Sequence, residues 1–166
     1  MLYYLQKNKM KININKEQLS DIYNLHFNVF YPLEKFVSKK EFVDIANKMR
    51  ISHNVFFPIP VYFFLLKKPT KTEKIKVYYK NKYICFLKVI KTYTFSIKEK
   101  NKIGSKIFGT NDKNHPGFNK FLCSTKYFID CEIKNFKNPK GLINFSKPEK
   151  ILKSLKKNKI NSLIGF

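Results

Sequence analysis

The segment VFFPIPVYFFLL, Val55 to Leu66, restricts the fold more than any other. It carries no charge over 12 residues, yet Pro58 and Pro60 each lack a backbone donor and crowd the preceding turn of a helix, so it is not a helix interior. A membrane-crossing helix needs about 20 apolar residues in one run, and none occurs. What remains is extended chain, with the prolines at a sheet edge and the aromatic and β-branched residues after them as a strand. With 17 Phe and 10 Tyr in 166 residues, the chain carries too much aromatic surface to stay disordered. Its length suits one ordinary domain, with at most a fragment of a second. At the N-terminus, MLYYLQKNKMK has an apolar stretch too short for a signal peptide, and its lysines follow that stretch instead of preceding it. The expectation is a cytoplasmic protein with no membrane contact.

A net charge of +23 points first to nucleic acid, because each phosphate neutralised releases counterions. Against this, 34 basic residues include a single arginine, Arg50, and base reading favours the planar fork of Arg. Lys, Asn and Ile supply about two-fifths of the chain and Trp is absent, the pattern that an A/T-biased genome writes onto any fold. The lysines are dispersed along the sequence, so the expectation is weak, non-specific contact with nucleic acid. Three cysteines, Cys85, Cys123 and Cys131, lack CxxC spacing and stand among apolar neighbours, which reads as three buried thiols. His26, His53 and His115 include no HxxxH or HExxH pair, and no metal site is expected.

Residues 1–14 alternate weakly, as an entering strand or an arm would. Leu19, Ile22, Tyr23 and His26 fall at helical spacing, with Asn15 placed to cap and Glu17 in the first turn. NVFYPLEKF reads as a compact aromatic turn. Ser38 and Glu41 form a capping box, and Phe42, Ile45, Ala46 and Met49 follow as one apolar stripe. Beyond Phe57 the character is β: IPVYFFLL, then KVYY and YICFLKVI across a short polar break, a hairpin or meander. Continuous apolarity in YICFL implies a strand covered on both faces. KEKNKIGSKIF reads as a lysine-faced helix weakened by Gly104, and Pro116 opens a helix through Phe121. YFIDCEI and LINF complete the β section. Ser146 and Glu149 then cap EKILKSLKK, and NSLIGF begins an apolar strand. No paired catalytic carboxylates, nucleophile elbow or GxxxxGK[ST] loop occurs.

Three stretches carry a further resemblance. FYPLEKFVSKKEFVDIANKMR, VFFPIPV and KIFGTNDKNHPGF resemble, in order and spacing, the N-terminal domain of the ATP sulfurylase (sulfate adenylyltransferase) family. That family shows F-S-P-L-x-G-F, a helix ending in M-R, W-P-I-P-[VI] and F-G-T-x-D-x-x-H-P-G. Phe30, Pro32, Leu33 and Phe36 match the first, and Met49 and Arg50 the second. Pro58, Ile59, Pro60 and Val61 match the third; Phe108, Gly109, Thr110, Asp112, His115, Pro116 and Gly117 match every fixed position of the fourth. The resemblance implies an α+β, mainly β fold: a PUA-like pseudo-barrel with short flanking helices, standing before a nucleotidyltransferase domain that joins ATP and sulfate into adenylyl sulfate and pyrophosphate. It divides the chain into a PUA-like domain over 1–160 and, over 161–166, the first strand of a truncated catalytic domain.

The family's phosphate-gripping Gln-x-Arg-Asn-Pro would begin after Phe166, so no residue here inherits a catalytic or substrate-binding role, and the chain is expected to be an inactive fragment. ATP with magnesium and sulfate are implied for the full-length enzyme only. The partners implied are the following catalytic domain of the same polypeptide and further copies in a homo-oligomer. Asn28 and Lys35 stand where the family has glycine, His53 and Asn54 where it has Asp-Gly, Asp130 and Cys131 where it has Gly-Gly, and Phe57 replaces Trp. Asn28, Asn54 and Asp130 are expected to keep left-handed turns. His115 reads as a turn histidine bonded to Asp112 or backbone in preference to a nucleotide contact, and Arg50 as a salt bridge at a helix C-terminus in preference to a sulfate ligand. The competing readings are a free-standing PUA-like RNA-binding module and a stand-alone partner of a separate catalytic subunit.

Overall fold

A computed structural model describes residues 10–69, 74–124, 126–138, 148–160 and 162. The expected strand LINF, the cap Ser146 and nearly all of NSLIGF therefore lie outside the described residues. Five strands and five α-helices follow in the order β1 (Met10–Asn13), α1 (Lys16–His26), α2 (Lys39–Lys48), β2 (Phe63–Leu65), β3 (Lys74–Tyr79), β4 (Lys82–Tyr93), α3 (Ile97–Phe108), α4 (Pro116–Ser124), β5 (Tyr127–Lys134) and α5 (Pro148–Lys157). They make one sheet of strand order β1-β3-β4-β5-β2, in which only the β1–β3 pair is parallel. This is the α+β arrangement expected. None of these helices is long and apolar enough to cross a membrane.

Local chemistry sets the helix starts. Three helices open on reciprocal capping boxes, Asn15 with Gln18, Ser38 with Glu41 and Ser96 with Glu99; each satisfies two backbone N–H groups that the first turn leaves unpaired. α2 stops at Met49 and α3 at Gly109, both left-handed, with φ of 52° and 66°. The β3–β4 hairpin turns on Lys80 and Asn81, whose φ values of 47° and 61° suit a tight turn matching the twist of its strands. In the apolar run after Pro60 only Phe63 to Leu65 pair with β5, so the strand is shorter than its apolar length.

Two bulges correct the reading of β4. Val77 pairs with Cys85 and Tyr78 with Tyr83, which leaves Ile84 without a partner; Ile90 is left out in the same way between Val89 and Lys91. Ile84 and Cys85 are consecutive and both buried because the bulge turns them to one side, not because both faces are covered there. Tyr83 and Phe86 stay half-exposed on the other face.

The core lies on both sides of the sheet at its β5 end. On one side Ile75, Val77, Cys85, Leu87, Ile129 and Cys131 meet Phe63 and Phe36, whose rings are 5.2 Å apart. On the other, Tyr93 stacks on Phe128 across the strands at 5.4 Å, and Phe42 of α2, Phe95 and Phe121 of α4 close around them. Each such ring is worth about 1.5–3 kcal/mol when removed from water. α3 and α4 approach at Gly104, where an added Cβ would stand 2.9 Å from the ring of Phe118. This glycine is what lets the helices meet, and the weakness read from it in the sequence is compensated by packing.

Candidate docking face and the Lys35 cluster

The three stretches that carry the motifs come into contact with one another. In the first, Asn28 is left-handed, Leu33 N–H donates to the Phe30 carbonyl at 2.8 Å, and the Tyr31–Pro32 peptide is cis. Leu33 and Phe36 point into the core while Tyr31 stands 76% exposed. In the second, Phe57 N–H donates to the Met49 carbonyl at 2.8 Å and Arg50 bridges Phe56, so the end of α2 is bonded directly to the approach of the proline strand. Between them His53 and Asn54 turn the chain with φ of 58° and 61°. Arg50 Nη1 donates to the Asn54 carbonyl at 2.8 Å; among the described residues it pairs with no carboxylate, which replaces the expected salt bridge.

The fourth motif links α3 to α4. Asp112 Oδ1 accepts from Asn114 N–H at 2.8 Å, and Thr110 Oγ1 from Asp112 N–H at 3.0 Å. His115 Nδ1 then accepts from Phe118 N–H at 3.2 Å, so the imidazole fills the capping role that opens α4 with Pro116 as its first residue. Gly117 must be glycine for closeness: a Cβ there would lie 2.7 Å from the Phe108 ring.

An open apolar groove of about 540 Å³ runs where these stretches meet, lined by Phe30, Phe57, Pro58, Ile59, Pro60, Phe108 and Gly117 over Tyr62 and Phe64. Phe30 and Phe57 meet edge to face at 6.4 Å. Beside it Ile59 is 60% and Phe56 62% exposed, and Val29, Met49 and Val55 add to the uncovered apolar surface. Glu17, Asp21 and Lys120 form the polar rim, with Lys120 paired to Glu17. Burial, aided by the charge of Glu17 and opposed by Lys120, pushes the Asp21 carboxyl up to about 6.

Lys35, Glu41 and Asp130 form a compact charge cluster. Lys35 Nζ donates to Asp130 Oδ1 at 2.7 Å and to Glu41 Oε2 at 3.1 Å. Burial works against the Lys35 ammonium, but its bonds to Asp130 and Glu41 outweigh it and hold its pKa above the usual lysine value. Burial likewise raises Glu41, and the bonds from Ser38 and Lys35 more than reverse it. Asp130, on β5, has no left-handed backbone, so the turn expected there is replaced by this ion pair. Two of the three thiols are buried as expected; Cys123 is exposed on α4, its Sγ 3.0 Å from Asn119 Oδ1.

The PUA-like domain family matches residues 3–138. Curated relatives include the sulfate adenylyltransferases of Pyrococcus abyssi, 31% identical over 75% of this chain and 32% of that protein, and of Thermococcus onnurineus, 28% identical over 78% and 34%. That of Entamoeba histolytica is 24% identical over 70% of this chain and 29% of its own length. The chain thus spans about a third of the length of the curated relatives it matches. A solved structure, the hexameric APS kinase from Thiobacillus denitrificans, shares the fold with a TM-score of 0.62 over 92% of this chain and 27% of that one, at 8% identity.

Proposed function

Because this chain belongs to the PUA-like domain family, we propose that it serves as the N-terminal, non-catalytic domain of a sulfate adenylyltransferase and that its motif face seats the catalytic domain of the same polypeptide. The observation that carries this reading is that residues of three stretches distant in sequence, Phe30, Pro58 to Pro60, and Phe108 with Gly117, line one exposed apolar groove. A solvated surface of this kind, with Phe56 and Ile59 more than half exposed, is characteristic of an interface. In this reading residues 161–166 lead into the catalytic domain, and the protein acts in the cytoplasm as a homo-oligomer that activates sulfate for assimilation.

ATP, magnesium and sulfate belong to the catalytic domain. Among the described residues no group of three or more His, Cys, Asp and Glu is placed to hold a metal ion. Adenylyl transfer needs positioned cations and donors around the phosphates. The purified chain is therefore expected to release no pyrophosphate from ATP and sulfate above the uncatalysed rate, and turnover by the chain alone would overturn the non-catalytic role. The seating role has its own test. Substituting this chain for the matching segment of the Pyrococcus abyssi relative should yield an active chimera, and Phe56→Asp with Ile59→Asp should separate the two parts in limited proteolysis while leaving the melting of the isolated domain almost unchanged. A double variant that stays protected like the parent chimera would show that the catalytic domain sits elsewhere.

A further inference from the structure

Among the described residues, the half of the sheet that the helices leave uncovered collects lysines and rings that are far apart in sequence. Cross-strand partners project on the same side, and Lys11, Lys76, Phe86 and Lys134 are partners in one continuous row across β1, β3, β4 and β5. The adjoining row is Asn13, Tyr78 and Tyr83, with the two tyrosine rings 5.8 Å apart, and the row on the other side is Lys74, Lys88 and Glu132. Lys74 lies 5.4 Å over the Phe86 ring and Lys137 5.9 Å over that of Tyr83. The one carboxylate of these rows, Glu132, is held by Lys134 at 3.0 Å and Lys88 at 3.7 Å.

We infer that this face binds single-stranded nucleic acid, its phosphates met by Lys11, Lys76, Lys134 and Lys137 and its bases stacked on Phe86 and Tyr83. Three features select this ligand. The bulge at Ile84 keeps both rings on the open face about two strand steps apart, roughly 7 Å, so that successive bases of an extended strand can reach them. Both rings are half-buried instead of fully buried, and what lies over each is the flexible end of a lysine, which a base can displace while the ammonium turns to the adjoining phosphate. The surrounding charge is overwhelmingly positive, with Glu132 the one carboxylate among the lysines of these rows, and a positive surface interleaved with rings is the combination that a phosphate backbone with stacking bases uses. Dispersal of lysines along the sequence thus gives way to a stripe in the sheet. The absence of an arginine fork on this face makes the binding tolerant of sequence.

Fluorescence anisotropy with labelled oligouridylate and oligothymidylate on the whole chain tests the inference. With three or four phosphates neutralised, affinity should fall roughly 20- to 50-fold between about 50 and 200 mM salt. Phe86→Leu and Tyr83→Leu keep apolar volume but remove the stacking face, and each should weaken binding about fivefold or more. Lys76→Gln with Lys134→Gln should flatten the salt dependence, whereas Lys98→Gln with Lys102→Gln on α3, an equal loss of charge, should leave affinity nearly unchanged. If the leucine variants fail to fold, the two lysine pairs decide. No binding at low salt, equal sensitivity to both lysine pairs, or full affinity in a folded Phe86→Leu protein would each overturn it, as would equal affinity for duplex.

Discussion

Lys35 and Asp130 occupy two positions where the resemblance led to glycine, and they meet as an ion pair. Neither side chain is explicable alone: Asp130 is 7% exposed and its carboxylate needs a partner, while a lysine in a tight aromatic turn needs somewhere to place its charge. Removing one partner strands the other, so Lys35→Ala should cost about 1–3 kcal/mol, less than a fully buried pair because Lys35 keeps water contact. The double variant Lys35→Ala, Asp130→Ala should cost less than the sum of the singles, a coupling of about 1 kcal/mol read from denaturant unfolding. Strict additivity would make the pairing incidental.

Asp21 gives a residue-scale prediction of opposite sign. A carboxyl raised by burial holds its proton more tightly when folded, so its contribution to stability is full below its ordinary value of 3.8 and is lost as pH rises through about 6. Asp21→Asn should therefore raise the thermal midpoint near pH 7 by about 2 °C or more, with the gain vanishing near pH 4. A gain that is the same at both pH values would remove titration as its cause. Residues of this kind are poorly legible in a sequence. His115 could be read as a turn histidine from the Pro-Gly after it, but which backbone group it serves depends on how α4 enters, and Arg50 found a carbonyl because no carboxylate was carried to it.

At the scale of elements, legibility follows how local the cause is. The cap at Ser38 and Glu41 is written within four residues, and α2 begins where it says. Ser96 and Glu99 spell the same signal, and the Glu99 carboxyl is held down to about 2 by the backbone and hydroxyl of Ser96 and by Lys39. It marks a helix start at Ile97, one residue before the lysine run that spells the helix in the sequence. The bulges of β4 were not legible, since a residue left out of register is defined by its partner strand. Gly104 shows the same limit: helix propensity alone favours alanine there by about 1 kcal/mol, but the facing ring of Phe118 comes from another helix. Gly104→Ala should consequently destabilise the domain by about 1–2 kcal/mol, because the overlap with Phe118 and Phe121 exceeds the propensity gain. A stabilised variant in thermal melting would show that the α3–α4 contact is slack.

For the whole molecule, the family pattern made the α+β, PUA-like architecture legible before any geometry, whereas the two surfaces became visible only when distant strands were brought together. The lysines of the open sheet face come from β1, β3, β4 and β5, and no short window along the chain contains them. The strand order has a further consequence, for time instead of shape. β3, β4 and β5 succeed one another as antiparallel neighbours, but the two outermost strands wait for partners far downstream, β1 for β3 and β2 for β5, so each must close a long loop for only a few ladder bonds. The centre of the sheet should form first and open last. In native-state hydrogen exchange the amides of β4 and β5 should report global unfolding, while those of Met10–Asn13 exchange through a smaller opening. Equal protection across all five strands would mean that the rim is as cooperative as the core. With an early-opening rim, β1 and β2 leave a ribosome well before the strands that secure them, and the nascent domain stays incomplete until β3 and β5 have followed.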